Sequence, residues 1–162
     1  MKVLAYIGYC VLALTAALVA LGQLGLLRGR TPPDLGVKDG QLKRPSKTPN
    51  SVSSQAKLHT DHPQMAYASI DPIAYSGDGE QAMTKILTLI QATPRTIIVT
   101  QAADYIYAQC TTSLLKFTDD VEFWLDRKAG VIQVRSSSRL GQKDFNVNRA
   151  RIEAIRAQFT SN

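Results

Sequence analysis

The sequence predicts an α+β fold. It reads as an antiparallel four-stranded meander flanked by an N-terminal and a C-terminal helix, preceded by a single transmembrane helix and an irregular linker. Three observations carry this. Residues 3–27 are uncharged and dominated by Leu, Ala and Val. Four runs with strand-type alternation follow one another between residues 96 and 140. Two segments with helical apolar spacing bracket them, and helices at either end of a run of strands are the pattern of an antiparallel sheet covered on one side.

At 1.5 Å rise per residue, about 20 apolar residues cross a hydrocarbon core, so the first segment is long enough to span. Lys2 precedes it, and Arg28 and Arg30 follow it. A cleaved signal peptide is the competing reading, with small residues in "ALG" at 20–22. The run continues through Leu24, Leu26 and Leu27, longer than a signal core needs, which favours a retained anchor. Residues 1–30 are therefore a membrane anchor or signal segment. Positive charge is heavier after the span than before it, which by itself would hold the C-terminal part in the cytoplasm. A Lys followed at once by an apolar run is instead the layout of an export signal.

Residues 31–64 read as a Pro/Ser-rich linker. They carry Pro32, Pro33, Pro45, Pro49 and Pro63, with few large apolar side chains, and such a composition buries little core. Within them "HTDHP" at 59–63 sets two histidines around an aspartate. No Cys or further His accompanies them, whereas structural metal sites use about four ligands, so a polar loop is the expectation and no metal or cofactor is predicted. The α+β domain is expected over 65–162. "GDGEQAMTKILTLIQATP" at 77–94 predicts a helix with Asp78 as N-cap, an apolar stripe of Ala82, Ile86, Leu89 and Ile90, and a stop at Pro94. "TIIVTQ" (96–101) and "DYIYAQCTT" (104–112) flank a tight connection, and "LLKFTDDVEFWLD" (114–126) and "VIQVRSSSRL" (131–140) flank the loop "RKAG". A last helix is expected from about Val147 to Phe159, with Ile152, Ile155 and Phe159 on one face.

The net charge is +6, and much of it follows the apolar segment. Basic residues there would be drawn to anionic headgroups, although a stop signal or simple solubility is the commoner use. Nothing interleaves aromatic and basic residues as a nucleic-acid surface would, so no nucleic-acid partner is expected. Cys10 in the span and Cys110 in a strand cannot pair, and Cys110 alternates with Ile106 and Ala108 as a small buried hydrophobe.

The four-residue loop sets the register of the last two strands. Asp126 falls opposite Val131, Glu122 opposite Arg135, and Asp120 opposite Ser137. Glu122 and Arg135 then form a cross-strand ion pair, ordinarily a contribution of about 0.2–1 kcal/mol. Asp119 falls on the apolar face, where an unpaired carboxylate is costly. Either the strand bulges there or a buried cation partners it, with Arg149 and Arg151 the candidates. Asp119, Asp120 and Glu122 could also serve acid–base chemistry or a hard cation, but no nucleophile or neighbouring histidine accompanies them. Ser136, Ser138, Arg135, Arg139 and the helix start near Asp144, Asn148 and Arg149 form a candidate anion site of hydroxyls, free N–H groups and positive charge. The competing use is internal: Asp144 or Asn146 as a cap, and the arginines as braces to the acidic strand. The two strands are best taken as one charged unit, with Arg139 expected to be the arginine left unpaired.

"TPPDLGVKDGQL", "TPNSVSSQA", "FTDDVEFWLD" and "GVIQVRSSSRLGQKDFNVNRARIEAIR" resemble the domain of unknown function 1499 family of bacterial and plastid envelope and membrane-associated proteins, over residues 31–159. The resemblance implies no activity. Its members often follow a signal or lipoprotein sequence, which implies an extracytoplasmic domain. The family commonly has a cysteine pair around its proline-asparagine motif, where this chain has Pro45 and Ser51. It usually has Gly where this chain has Asn146; both residues tolerate a left-handed backbone and Asn also caps, which implies a conformational role there. The family's aspartate pair, arginines and "VNR" motif are matched by Asp119, Asp120, Glu122, Arg135, Arg139, Asp144, Asn148 and Arg149, with no role attached to any of them.

The expectation is thus a single-pass protein of the bacterial inner membrane with a periplasmic domain. That domain would bind an envelope protein or an anionic ligand through its Arg/Ser/Asp residues. The alternative is a small enzyme using Asp119, Asp120 and Glu122 with Arg135 and Arg139 on an anionic substrate.

Overall fold

A computed structural model describes residues 2–161. Helix α1 (Lys2–Gln23) is followed by strand β1 (Ser51–Ser53), a 3-10 turn at Ala56–Leu58, a one-turn helix α2 (Met65–Ala68) and strand β2 (Ile73–Ala74). Helix α3 (Gly79–Ala92) leads into strands β3 (Thr96–Gln101), β4 (Tyr105–Thr111), β5 (Thr118–Asp126) and β6 (Val131–Ser138), and helix α4 (Val147–Ser161) ends the chain.

Strands β3 to β6 form the expected meander, antiparallel throughout. The register argued from the "RKAG" loop is the one observed: Asp126 pairs with Val131, Glu122 with Arg135 and Asp120 with Ser137. The sheet has six strands, however, rather than four. β1 and β2 lie end to end on the outer edge of β6, with Val52 opposite Ser136 and Ile73 opposite Ile132. Strands of three and two residues are too short to show alternation, and "SVS" is polar in composition. Their pairing is created by the free edge of β6, a row of unpaired N–H and C=O groups that any adjacent extended segment satisfies.

Both helices lie on one face of the sheet. Asp78 caps α3 by accepting from the Glu80 N–H at 2.8 Å, and Pro94 follows its end as predicted. Ala82, Met83, Ile86 and Ile90 of α3 and Ile152, Ile155 and Phe159 of α4 pack against Ile106, Val121, Phe123, Ile132 and Val134. Val52, from the segment expected to be an irregular linker, is fully buried in the same core. Leu42 and Ala56 of that segment are buried as well, and polar side chains hold its backbone in place. Gln55 accepts from the Leu42 N–H at 2.8 Å and donates to the Gly40 carbonyl at 3.0 Å, and the Ser51 hydroxyl accepts from the Ser46 N–H at 2.7 Å. The chain before it crosses the opposite face of the sheet, where Gly36 donates its N–H to Glu122 at 2.8 Å.

A chain starting at Met65 would therefore lose Val52 from the core and uncover both the edge of β6 and the polar face. It is expected to show no cooperative thermal transition by circular dichroism, whereas a chain starting at Arg28 keeps one.

Candidate functional site

The side-chain alternation of β5 and β6 divides the anticipated charged unit between the two faces of the sheet. Asp119, Ser136 and Ser138 face the helices. Asp120, Glu122 and Arg135 face the other way, and Arg139 joins them from just beyond β6. The two sets make separate networks.

On the helix side Asp119 is buried and does not bulge outward. Of its two candidate partners it takes Arg151, whose Nη2 donates at 2.5 Å. Asn148, Arg151, Ile152 and Ile155 recur at the spacing of one helix face, so Arg151 points to the sheet with them. Arg149 lies about 100° round the helix and donates instead to the carbonyls of Tyr67 and Ser69, at 2.6 and 2.9 Å. Asn148 is the hub. Its Oδ1 accepts from Ser136 at 2.6 Å and from Arg151 at 2.9 Å. Its Nδ2 donates to Asp144 at 2.8 Å, Ser138 at 3.0 Å and the Asn50 carbonyl at 3.1 Å.

Asp144 occupies the start of α4, accepting from the N–H groups of Asn146 and Asn148 at 3.1 and 3.0 Å and from the Tyr67 hydroxyl. Burial alone would raise its pKa, but the hydrogen bonds from Tyr67 and Asn148 outweigh this and hold it below the usual range. The Tyr67 phenol is pushed up by burial and by its bond to Asp144. The helix N-terminus is thus filled by the protein's own carboxylate. Ser136, Ser138, Asp144, Asn148 and Arg149 are joined into a brace between sheet and helix. The conformational role implied for Asn146 takes the form of a left-handed backbone, with φ of 68°.

On the opposite face Glu122 is wholly buried and accepts three hydrogen bonds: from Arg135 Nη1 at 2.9 Å, from the Tyr105 hydroxyl at 2.8 Å and from Gly36 N–H at 2.8 Å. Asp120 receives Arg139 as a fork, Nε at 3.1 Å to both oxygens and Nη2 at 2.7 Å to Oδ1, and the Tyr107 hydroxyl at 2.6 Å. Arg139 is therefore not the unpaired arginine. Burial would lower its pKa, but the hydrogen bond and charge of Asp120 raise it overall. The Tyr105 and Tyr107 phenols are pushed up, first by burial and then by Glu122 and Asp120 respectively. All three carboxylates proposed for acid–base chemistry are arginine-bound.

Arg135 differs from the others. It is 2% exposed, engages Glu122 through Nη1, and its Nε is buried with no hydrogen-bond partner. It lies in the wall of a cavity of about 910 Å³ between this face and residues 30–63. Seven Lys and Arg side chains line that cavity against three Asp. Lys43 pairs with Asp34, Arg44 with Asp61 at 2.5 Å, and Arg139 with Asp120. Arg30, Lys38 and Lys47 also line it and make no ion pair among the described residues. His59 on the same wall has its pKa lowered by burial, then by the charge of Arg44 and by His62. The "HTDHP" segment forms one edge of this cavity: Asp61 serves Arg44, and His62 Nδ1 accepts from the Gln64 N–H at 3.1 Å. Only Asp120, Arg135, Ser137, Ser138 and Arg139 of the cavity wall come from the two runs whose charge pattern drew attention in the sequence. The rest comes from a segment whose composition announces a linker.

Breaking a buried ion pair from one side leaves an uncompensated charge, at a cost of about 3–5 kcal/mol. Arg135→Ala is expected to lose stability of that order in denaturant titration, and Glu122→Gln combined with Arg135→Met to recover most of it. Because its folded pKa is depressed, Asp144 contributes stability that is present above its unfolded pKa near 3.8 and lost as pH falls through the folded value. Asp144→Asn should accordingly lower the melting temperature at neutral pH and flatten its fall in acid below 3.8.

No curated protein and no solved structure matches the chain. One family model does, described as protein of unknown function (DUF1499), over residues 41–159. The match begins in the segment that crosses the polar face and ends in α4, so it takes in both networks except Gly36, and most of the cavity wall. The chain belongs to the DUF1499 family.

Proposed function

We propose that this protein is a membrane-anchored domain on the outer side of the bacterial inner membrane, which binds an anionic ligand in the groove between the polar face of the sheet and residues 30–63. One observation carries the binding reading: the buried Arg135, held by Glu122 through a single nitrogen and with an unpartnered Nε, in a cavity wall that also carries Arg30, Lys38 and Lys47 without carboxylates. A buried polar group without a partner is costly, and a carboxylate or phosphate entering the groove would meet converging positive charge in partly desolvated surroundings. A catalytic reading built on Asp119, Asp120 and Glu122 has less support, because each is already engaged by an arginine.

The anchor reading is supported by α1. Its 22 residues include an 18-residue stretch of mean hydropathy 2.2 that lies outside the packed domain, and about 33 Å of helix matches a hydrocarbon core. Its last turn is fitted to the fold. A Cβ at Gly22 would lie 2.7 Å from the Leu115 carbonyl oxygen, and Gln23 Nε2 donates to the Leu114 carbonyl at 2.9 Å. Cleavage after "ALG" at 20–22 would cut through this contact, which favours retention of the helix.

The ligand reading is tested on the full chain in detergent, with pyrophosphate and citrate as probes in thermal-shift titrations against sodium chloride of equal ionic strength. A ligand that binds only the folded state raises the melting temperature saturably. Pyrophosphate or citrate is expected to do so, and Lys38→Glu with Lys47→Glu to abolish the rise. A response equal to that of sodium chloride, or unchanged in the variant, would overturn the reading.

A further inference from the structure

The end of the domain that receives α1 is also where exposed apolar side chains gather. α1 first meets the domain at Gly22 and Gln23, against Leu115 and Leu114 of the β4–β5 connection. Shortly after, Gly29 lies against Arg139 and Leu140 at the start of the β6–α4 connection. β5 begins and β6 ends at this side of the sheet, so both connections lie at one end of the domain, on the path of the chain leaving α1. They display Leu114, Leu140, Phe145 and Val147 at 57%, 43%, 84% and 47% exposure.

Phe145 is held out rather than left out. Its φ is 52° and that of Asn146 is 68°, a left-handed pair that is uncommon for a bulky residue and strained. The loop is pinned behind it by Asp144, which accepts from the Asn146 and Asn148 N–H groups and from Tyr67. A buried network thus keeps an aromatic ring in water at a conformational cost, which a packed domain alone does not require. Arg28 and Lys143 are exposed in the same stretches and make no ion pair among the described residues.

We propose that these two connections are a membrane-resting rim. Phe145, Leu114 and Leu140 enter the boundary between headgroups and acyl chains, while Arg28 and Lys143 meet lipid phosphates. The occupant is the lipid surface because the rim is continuous with the end of α1. A helix that spans the core and ends at Gln23 brings whatever touches residues 22–29 to the headgroup level, where aromatic and basic side chains are favoured. The proposal rests on retention of α1 as a span.

Full-length chain is reconstituted into vesicles of phosphatidylcholine and phosphatidylglycerol, with or without bromine on the upper acyl carbons, and tryptophan emission is compared. Phe145→Trp and, on the other connection, Leu114→Trp are expected to lose emission in brominated vesicles. Wild type, with Trp124 alone, and Ala129→Trp, on the hairpin at the opposite end of β5 and β6, should not. Equal emission of Phe145→Trp and Leu114→Trp in both vesicles, with the chain still floating with lipid, would overturn the rim alone and point to a protein as the partner of this surface. Failure of the wild-type chain to float with lipid would overturn the anchor and the rim together.

Discussion

Two consecutive aspartates on a central strand must point to opposite sides of the sheet, and here both sides are buried. Asp119 and Asp120 therefore each require a cation in a different layer of the molecule, Arg151 from the last helix for one and Arg139 for the other. Glu122 repeats the demand two residues on, met by Arg135 across the strand pair. An uncompensated carboxylate at any of these sites would have to protonate or unfold its surroundings. The placement of α4, the covering of the polar face and the position of the groove all follow from satisfying these three groups.

The helix-side network ties together pieces distant in sequence. Asn148 links the chain just before β1, the end of β6 and the first turn of α4, and its amide is used in full. Apolar packing alone would allow α4 some freedom to slide along the sheet. An amide with partners on three elements does not, which is how a polar network specifies one arrangement more sharply than area burial does. The same network sets the short Asp144–Asn146 turn that turns Phe145 outward, so the docking of α4 and the shape of the rim near α1 have a common cause.

The polar face has a different character. Tyr105, Tyr107 and Gln109 supply neutral donors around Asp120 and Glu122, while the segment crossing them brings mostly positive charge. The carboxylates take their cations from β6 and from Arg139 just beyond it, so Arg30, Lys38 and Lys47 of that segment line the groove with no ion pair among the described residues. Arg135 does both: it pairs with Glu122 through Nη1 and lines the groove with its Nε unpartnered.

Much of the strand meander was legible because its signals are local. A four-residue loop sets a register, alternation sets faces, and Asp78 and Pro94 mark the ends of a helix. The Glu122–Arg135 pairing followed from these alone, whereas the conformational role of Asn146 was implied by the family resemblance. What the sequence could not state was depth. "FTDDVEFWLD" looks like a strand with one wet face, and Glu122–Arg135 like a surface pair, because nothing local says that residues 30–47 will lie across them. That segment buries little beyond Leu42 and Pro45, so its composition resembles a linker while hydrogen bonds such as Gly36 to Glu122 and Leu42 to Gln55 make it part of the fold. By itself the sequence determined the apolar helix, the meander, its register and which charges could meet. Tertiary structure alone decided that both faces are buried, that Arg139 is paired while Arg135 keeps a free nitrogen, and that the lining of the groove comes largely from a distant segment. Those outcomes depend on which surfaces are removed from water, a property of the assembled layers and not of any one strand.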